Sequence, residues 1–174
     1  MSNEHPEFHV VKRFVALGPV RDHINIPFFP VGFATLWEYE RDEIKTGKLL
    51  REIDLLSIQA DNNSSVELSE YKTLFQLISH TKILHKPIPS FNFQLWKKWQ
   101  RNLENMKVWI LEAKSAKGDL VQALGQILMY KELFRTDYPS TEIARCGIIS
   151  EGPIEADLLT KHVCNSLGID IFRI

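Results

Sequence analysis

Apolar residues recur at helical spacing from Pro6 to Leu17, where Phe8, Val10, Val11, Phe14, Val15 and Leu17 fall on one side and Gly18-Pro19 stops the run. Residues Pro27 to Gly32, rich in Pro and Phe, read as a loop. Phe33 to Ile44 and Lys48 to Gln59 then read as two strands joined by a turn at Lys45-Thr46-Gly47-Lys48. The polar run Asp61-Asn62-Asn63-Ser64-Ser65 is a loop, after which Val66 to Leu84 and Phe91 to Met106 carry helical spacing on either side of Pro87 and Pro89. Val108 to Lys114 is an apolar strand, Ser115 to Gly118 a turn, and Asp119 to Phe134 an amphipathic helix. Glu142 to Ser150 reads as a strand, Ile154 to Leu167 as a helix ended by Gly168, and Asp170 to Ile174 as a last strand. This order predicts an α/β fold of one domain, residues 1–174, with a mixed central β-sheet flanked by helices. A helical insertion over residues 61–106 separates the second and third strands. Hairpin-linked strands should be antiparallel, and the crossover through residues 119–134 favours a parallel neighbour.

Composition narrows the function classes. With 174 residues, 44% hydrophobic and 25% charged, the chain can bury a real core. A formal net charge of -1 argues against a polycation that coats nucleic acid by bulk charge, yet a local basic face or a bound cation keeps nucleic acid open as a partner. The two cysteines, Cys146 and Cys164, have no CxxC partner, which excludes an iron–sulfur or zinc site built on cysteine. They read as buried thiols of a cytoplasmic, reducing environment. No apolar run approaches the ~20 residues of a membrane span, and the polar start Met1-Ser2-Asn3-Glu4-His5-Pro6 is unlike a signal peptide.

The chemistry concentrates in Val108-Trp109-Ile110-Leu111-Glu112-Ala113-Lys114. Side chains alternate along a strand, so Glu112 and Lys114 share a face while Ala113 points away. Burying a carboxylate and an ammonium at the end of an apolar strand is costly unless each has a partner or a task. Asp54 stands in a second apolar strand, Arg51 to Ile58. If the two strands are neighbours, Asp54 and Glu112 meet at one end of the sheet. Hard oxygen ligands there suit Mg²⁺ or Mn²⁺ beside a phosphate, with Lys114 holding water or stabilising charge on phosphorus.

Asp54, then Glu112-Ala113-Lys114, then a helix, resembles the PD-(D/E)xK nuclease superfamily, which includes restriction endonucleases, archaeal junction resolvases and RecB-like exonucleases. Gln126 and Tyr130, four apart on one helix face, resemble the QxxxY motif of the RecB-like branch. The resemblance implies a restriction-endonuclease-like core and a metal-dependent hydrolase that cuts phosphodiester bonds of DNA, with RNA the alternative substrate. It implies Asp54 and Glu112 as metal ligands for Mg²⁺ or Mn²⁺, Lys114 as the catalytic lysine, and Gln126 and Tyr130 as substrate-positioning groups. It also implies an acid on the first helix, Glu7, with Glu38 and Glu40 competing, and a homodimer where both strands of a duplex are cut.

Plainer readings stand beside these. Asp54 could be a strand-end acid paired with Arg51, Gln126 could satisfy a backbone group, and Tyr130 could be a core ring with a wet hydroxyl. Trp96-Lys97-Lys98-Trp99-Gln100-Arg101 mixes aromatics and bases as a nucleic-acid face would, but an amphipathic helix with both indoles buried explains it better. His5 and His9, four apart, lack a third metal ligand. The rival function class is a nucleic-acid-binding or assembly module that keeps the fold without cleavage; a third is a structural protein whose insertion docks a partner.

Overall fold

A computed structural model describes residues 6–35, 51–59, 93–116, 119–151 and 158–174. The described elements are α1 (Pro6–Leu17), β1 (Ile24–Val31), β2 (Arg51–Gln59), α2 (Phe93–Asn102), β3 (Lys107–Lys114), α3 (Leu120–Asp137), β4 (Glu142–Ser150), α4 (Leu158–Ser166) and β5 (Ile169–Arg173). The strands form one five-stranded mixed sheet in the order β1-β2-β3-β4-β5, antiparallel from β1 to β3 and parallel from β3 to β5.

β3 is buried along its length after Lys107, as a central strand covered on both faces must be. Its alternate residues divide the core. Val108 and Ile110 pack with Ala123, Ile127, Tyr130 and Phe134 of α3. Trp109, Leu111 and Ala113 pack with Val10, Val11 and Phe14 of α1. The expected two-faced strand and its crossover helix are therefore both present, with α3 leading into a parallel β4.

Two expectations need correction. The segment expected as a loop, Pro27 to Gly32, lies largely within β1, which pairs with β2 through Pro27↔Leu55 and Pro30↔Glu52. Among the described strands β1 is at the edge, laddered on one side only, and so tolerates prolines that would interrupt a central strand. Between them Phe28 adopts φ 54 and drops out of the ladder at the position facing Asp54. A left-handed phenylalanine costs about 1–3 kcal/mol and persists only where packing enforces it; its ring lies 5.7 Å from that of Phe8.

The strand expected from Phe33 begins instead as helix at residues 33–35, and residues 36–44 lie outside the described residues. The cause is Asp137, at the end of α3. Its carboxylate accepts from the amides of Gly32, Phe33 and Ala34 at 2.6, 3.1 and 2.8 Å, capping a helical turn from across the molecule. Gly32 enters that turn at φ 106, a conformation open to glycine. The neighbour of β2 opposite β3 is thus β1, and the expected turn at Lys45-Thr46-Gly47-Lys48 lies outside the described residues.

Most of the expected insertion, residues 60–92, lies outside the described residues. Of it, α2 is described: Trp96 and Trp99 are buried in the main core, with Trp96 stacked on Phe33 and Trp99 edge-on to Phe29. The Trp/Lys segment is accordingly an amphipathic helix with its indoles inside. Both cysteines are buried free thiols. Among the described residues no helix is long and apolar enough to cross a membrane.

Candidate active site

The expected acids lie on adjacent strands. The β2–β3 ladder ends at Leu55↔Leu111, and one rung further its register would set Asp54 opposite Glu112. At that point the strands separate. Asp54 Oδ2 accepts from the Ala113 amide at 2.8 Å, so a side chain takes over a donor the ladder leaves behind. Asp54 is bound there rather than paired with Arg51.

Lys114 Nζ donates to Glu112 Oε1 at 2.7 Å and to Gln126 Oε1 at 2.8 Å. Gln126 Nε2 in turn donates to the Tyr130 hydroxyl at 3.3 Å. The i, i+4 spacing on α3 thus aims both side chains at β3, and Gln126 serves a side chain rather than the backbone. Glu112 is 1% exposed and Lys114 6% exposed. The other Glu112 oxygen, Oε2, is buried without a hydrogen-bond partner. An orphaned carboxylate oxygen beside a second acid is a costly arrangement that a proton or a cation would relieve.

The electrostatics carry the same message. Burial pushes the Asp54 carboxyl up to about 6; Glu7 adds to the rise, while the Ala113 amide and Lys114 oppose it. Burial and then the charge of Asp54 push Glu112 up to about 8 despite Lys114. Burial followed by Glu112 pushes the Tyr130 phenol up to about 12. Glu7, in the first turn of α1, is therefore within electrostatic reach of Asp54. Glu38 and Glu40 lie outside the described residues.

Among the described residues no group of three or more His, Cys, Asp or Glu is gathered as a metal cage. The donor set still fits a hard cation. Mg²⁺ is commonly held by one or two carboxylates with water and substrate phosphate completing its shell, and Asp54 with the free Glu112 oxygen matches that chemistry. His9 Nε2 lies 3.3 Å from Glu151 Oε1, to which Arg13 also donates at 2.7 Å, and His5 lies outside the described residues.

Two neighbours escaped the sequence reading. Ser150, buried at the end of β4, pairs in parallel register with Lys114. Glu151 follows it, donating its amide to the Lys114 carbonyl at 3.1 Å while its side chain holds α1. Neither belongs to a local motif; only the sheet register brings them to the rim. Comparison with known protein families, with characterised proteins and with solved structures finds no match.

Proposed function

We propose that the protein is a metal-dependent phosphodiesterase, and specifically a Mg²⁺- or Mn²⁺-dependent nuclease acting on DNA. The observation that carries this reading is the rim cluster itself. Lys114 Nζ is held between Glu112 and Gln126, while the second Glu112 oxygen is buried with no donor. The Glu112 carboxyl lies within hydrogen-bond reach of Asp54, an approach that only a shared proton or a cation makes favourable. A purely structural ion pair would have its oxygens satisfied.

In this reading Asp54 and Glu112 hold the cation, which when bound supplies Lewis-acid polarisation of a phosphoryl oxygen. Lys114 orients the attacking water or offsets charge growing on the phosphate, and Gln126 fixes the lysine's position. Tyr130, with its phenol kept protonated, holds the Gln126 amide in place. A restriction-endonuclease-like core is supported by an antiparallel β1–β2–β3 meander followed by α3 and a parallel β4, with the acids on β2 and β3. A binding module without cleavage draws on one observation, that the described residues contain no group of three or more His, Cys, Asp or Glu placed to hold a metal.

The deciding experiment is a cleavage assay with Mg²⁺ or Mn²⁺ on plasmid, linear, branched and single-stranded DNA, with Lys114→Ala as control. Metal-dependent cutting that the variant lacks supports the reading. Cutting that survives the substitution, or none on any substrate, rejects it.

A further inference from the structure

Parallel pairing keeps partnered side chains on one face of a sheet, and it extends the rim cluster sideways. Lys114 pairs with Ser150, and Ser150 pairs with Arg173 of β5. The alternation supports this placement: Ile148 and Ile171 pack in the α3-side core, whereas Ile149 and Phe172 pack in the α1-side core. Glu112, Lys114, Ser150 and Arg173 therefore form a row across three strands on the α3 side. Two strand spacings separate Lys114 from Arg173 in the backbone, about 10 Å.

At the end of that row a cleft of about 460 Å³ opens between β5 and α4. It is lined by Lys161, Asn165, Asp170, Ile171 and Arg173. α4 turns Thr160 and Cys164 inward, which leaves Lys161 and Asn165, one turn apart, on its exposed side. Asp170 is engaged by Arg145 at 3.3 Å. Lys161 and Arg173 have no ion-pair partner among the described residues. Two cations without an ion-pair partner among the described residues, and an amide, face a cleft of ligand size whose one acid, Asp170, is held by Arg145; that balance favours an anion.

We propose that this cleft is a backbone subsite, where Lys161 and Arg173 bind phosphates of the same polynucleotide strand that enters the rim cluster. The proposal rests on the nuclease reading for its ligand. The offset of about 10 Å keeps the contacted phosphates within a few nucleotides of the scissile bond on the same strand. The cleft thus supplies register and affinity, and the rim supplies chemistry.

The test is binding of a fluorescent 20-nucleotide DNA strand and its duplex in EDTA, followed by anisotropy across a salt series. Lys161→Gln/Arg173→Gln is compared with Lys107→Gln/Arg135→Gln, which removes two exposed cations that do not line the cleft and are already paired with Glu142 and Glu132. Both pairs of residues are solvent-facing, and circular dichroism checks that each variant is folded. The cleft variant should bind at least tenfold more weakly, and its log–log salt slope should fall by about 1.4 on the single strand or 1.8 on the duplex. The control variant should stay within twofold of wild type. Equal losses in both variants, an unchanged slope in the cleft variant, or no binding by the wild-type protein would overturn the proposal. Because the assay contains no metal, a protein that binds through the cleft but never cuts would sink the nuclease reading alone.

Discussion

Asp54 Oδ2 accepts the Ala113 amide at 2.8 Å, one residue past the last rung between their strands. That bond pins an acid where β2 parts from β3, and it aims the remaining Asp54 oxygen toward the Glu112 side of the gap. The same bond partly offsets the cost of burying the Asp54 charge, since an amide favours the ionised form.

Lys114→Ala should lower cleavage by about 10²–10⁴-fold, the usual worth of a positioned proton-handling or charge-stabilising group. The fold should survive, because Glu112, already pushed up to about 8, can protonate once its partner is gone. Circular dichroism and single-turnover kinetics check both halves. Gln126→Ala should give a smaller loss, and the Lys114 variant should show little further response to it, since the two act through one contact.

The apo protein should become less stable as pH rises. Asp54 and Glu112 have folded-state pKa values raised to about 6 and about 8 above their ordinary values of 3.8 and 4.5. Their contribution is fully present below pH 4 and is lost through pH 6 for Asp54 and pH 8 for Glu112. Thermal melts in EDTA from pH 5 to 8.5 should show a falling Tm, and a flat or rising profile would contradict the assignment.

Cation binding should release protons near pH 7, because Glu112 is largely protonated there without a cation. Calorimetry in buffers of different ionisation enthalpy measures that release directly. Asp54→Asn should weaken Mg²⁺ binding by tenfold or more, and an affinity equal to wild type would remove Asp54 from the site.

Gly147→Ala tests the packing beneath the rim. A Cβ there would stand 2.6 Å from Phe172 Cε2 and 3.1 Å from Leu111 Cδ2. Phe172 is itself stacked on Trp109 and packed against Phe14, so it has little room to yield. A loss of about 1–3 kcal/mol in urea unfolding is expected.

Asp137→Ala removes the acceptor of three backbone amides. Unsatisfied buried donors cost about 1–3 kcal/mol each, so the total should reach about 3 kcal/mol or more. Hydrogen exchange should speed first at residues 32–34.

The periodic elements were legible because each buries one stripe or two faces: α1 has the expected bounds, and β3 is the two-faced strand expected. The meeting of Asp54 with Glu112 followed once their strands proved neighbours, and i, i+4 spacing put Gln126 and Tyr130 on one face; the contact of Gln126 with Lys114 was not foreseen. β1 was not legible, because prolines 27 and 30 signal a break unless the strand is known to be an edge. The helical turn at residues 33–35 was hidden because its cap comes from Asp137, more than a hundred positions away. Ser150 and Arg173 joined the rim only through register, which no local pattern encodes.

Asp137 has one more consequence. At its start α3 is tied by Asp119, which accepts the Val121 amide at 2.8 Å, and at its end Asp137 grips the turn after β1. Its last carbonyl also receives Gln100 Nε2 at 2.7 Å. The Asp119 cap moves with the helix, but sliding α3 along its axis would strand the donors held by Asp137, so the helix behaves as a beam bolted at its far end. The amide it presents to Lys114 is indexed to the sheet before any ligand arrives, and discrimination among ligands falls to shape and charge rather than to helix movement.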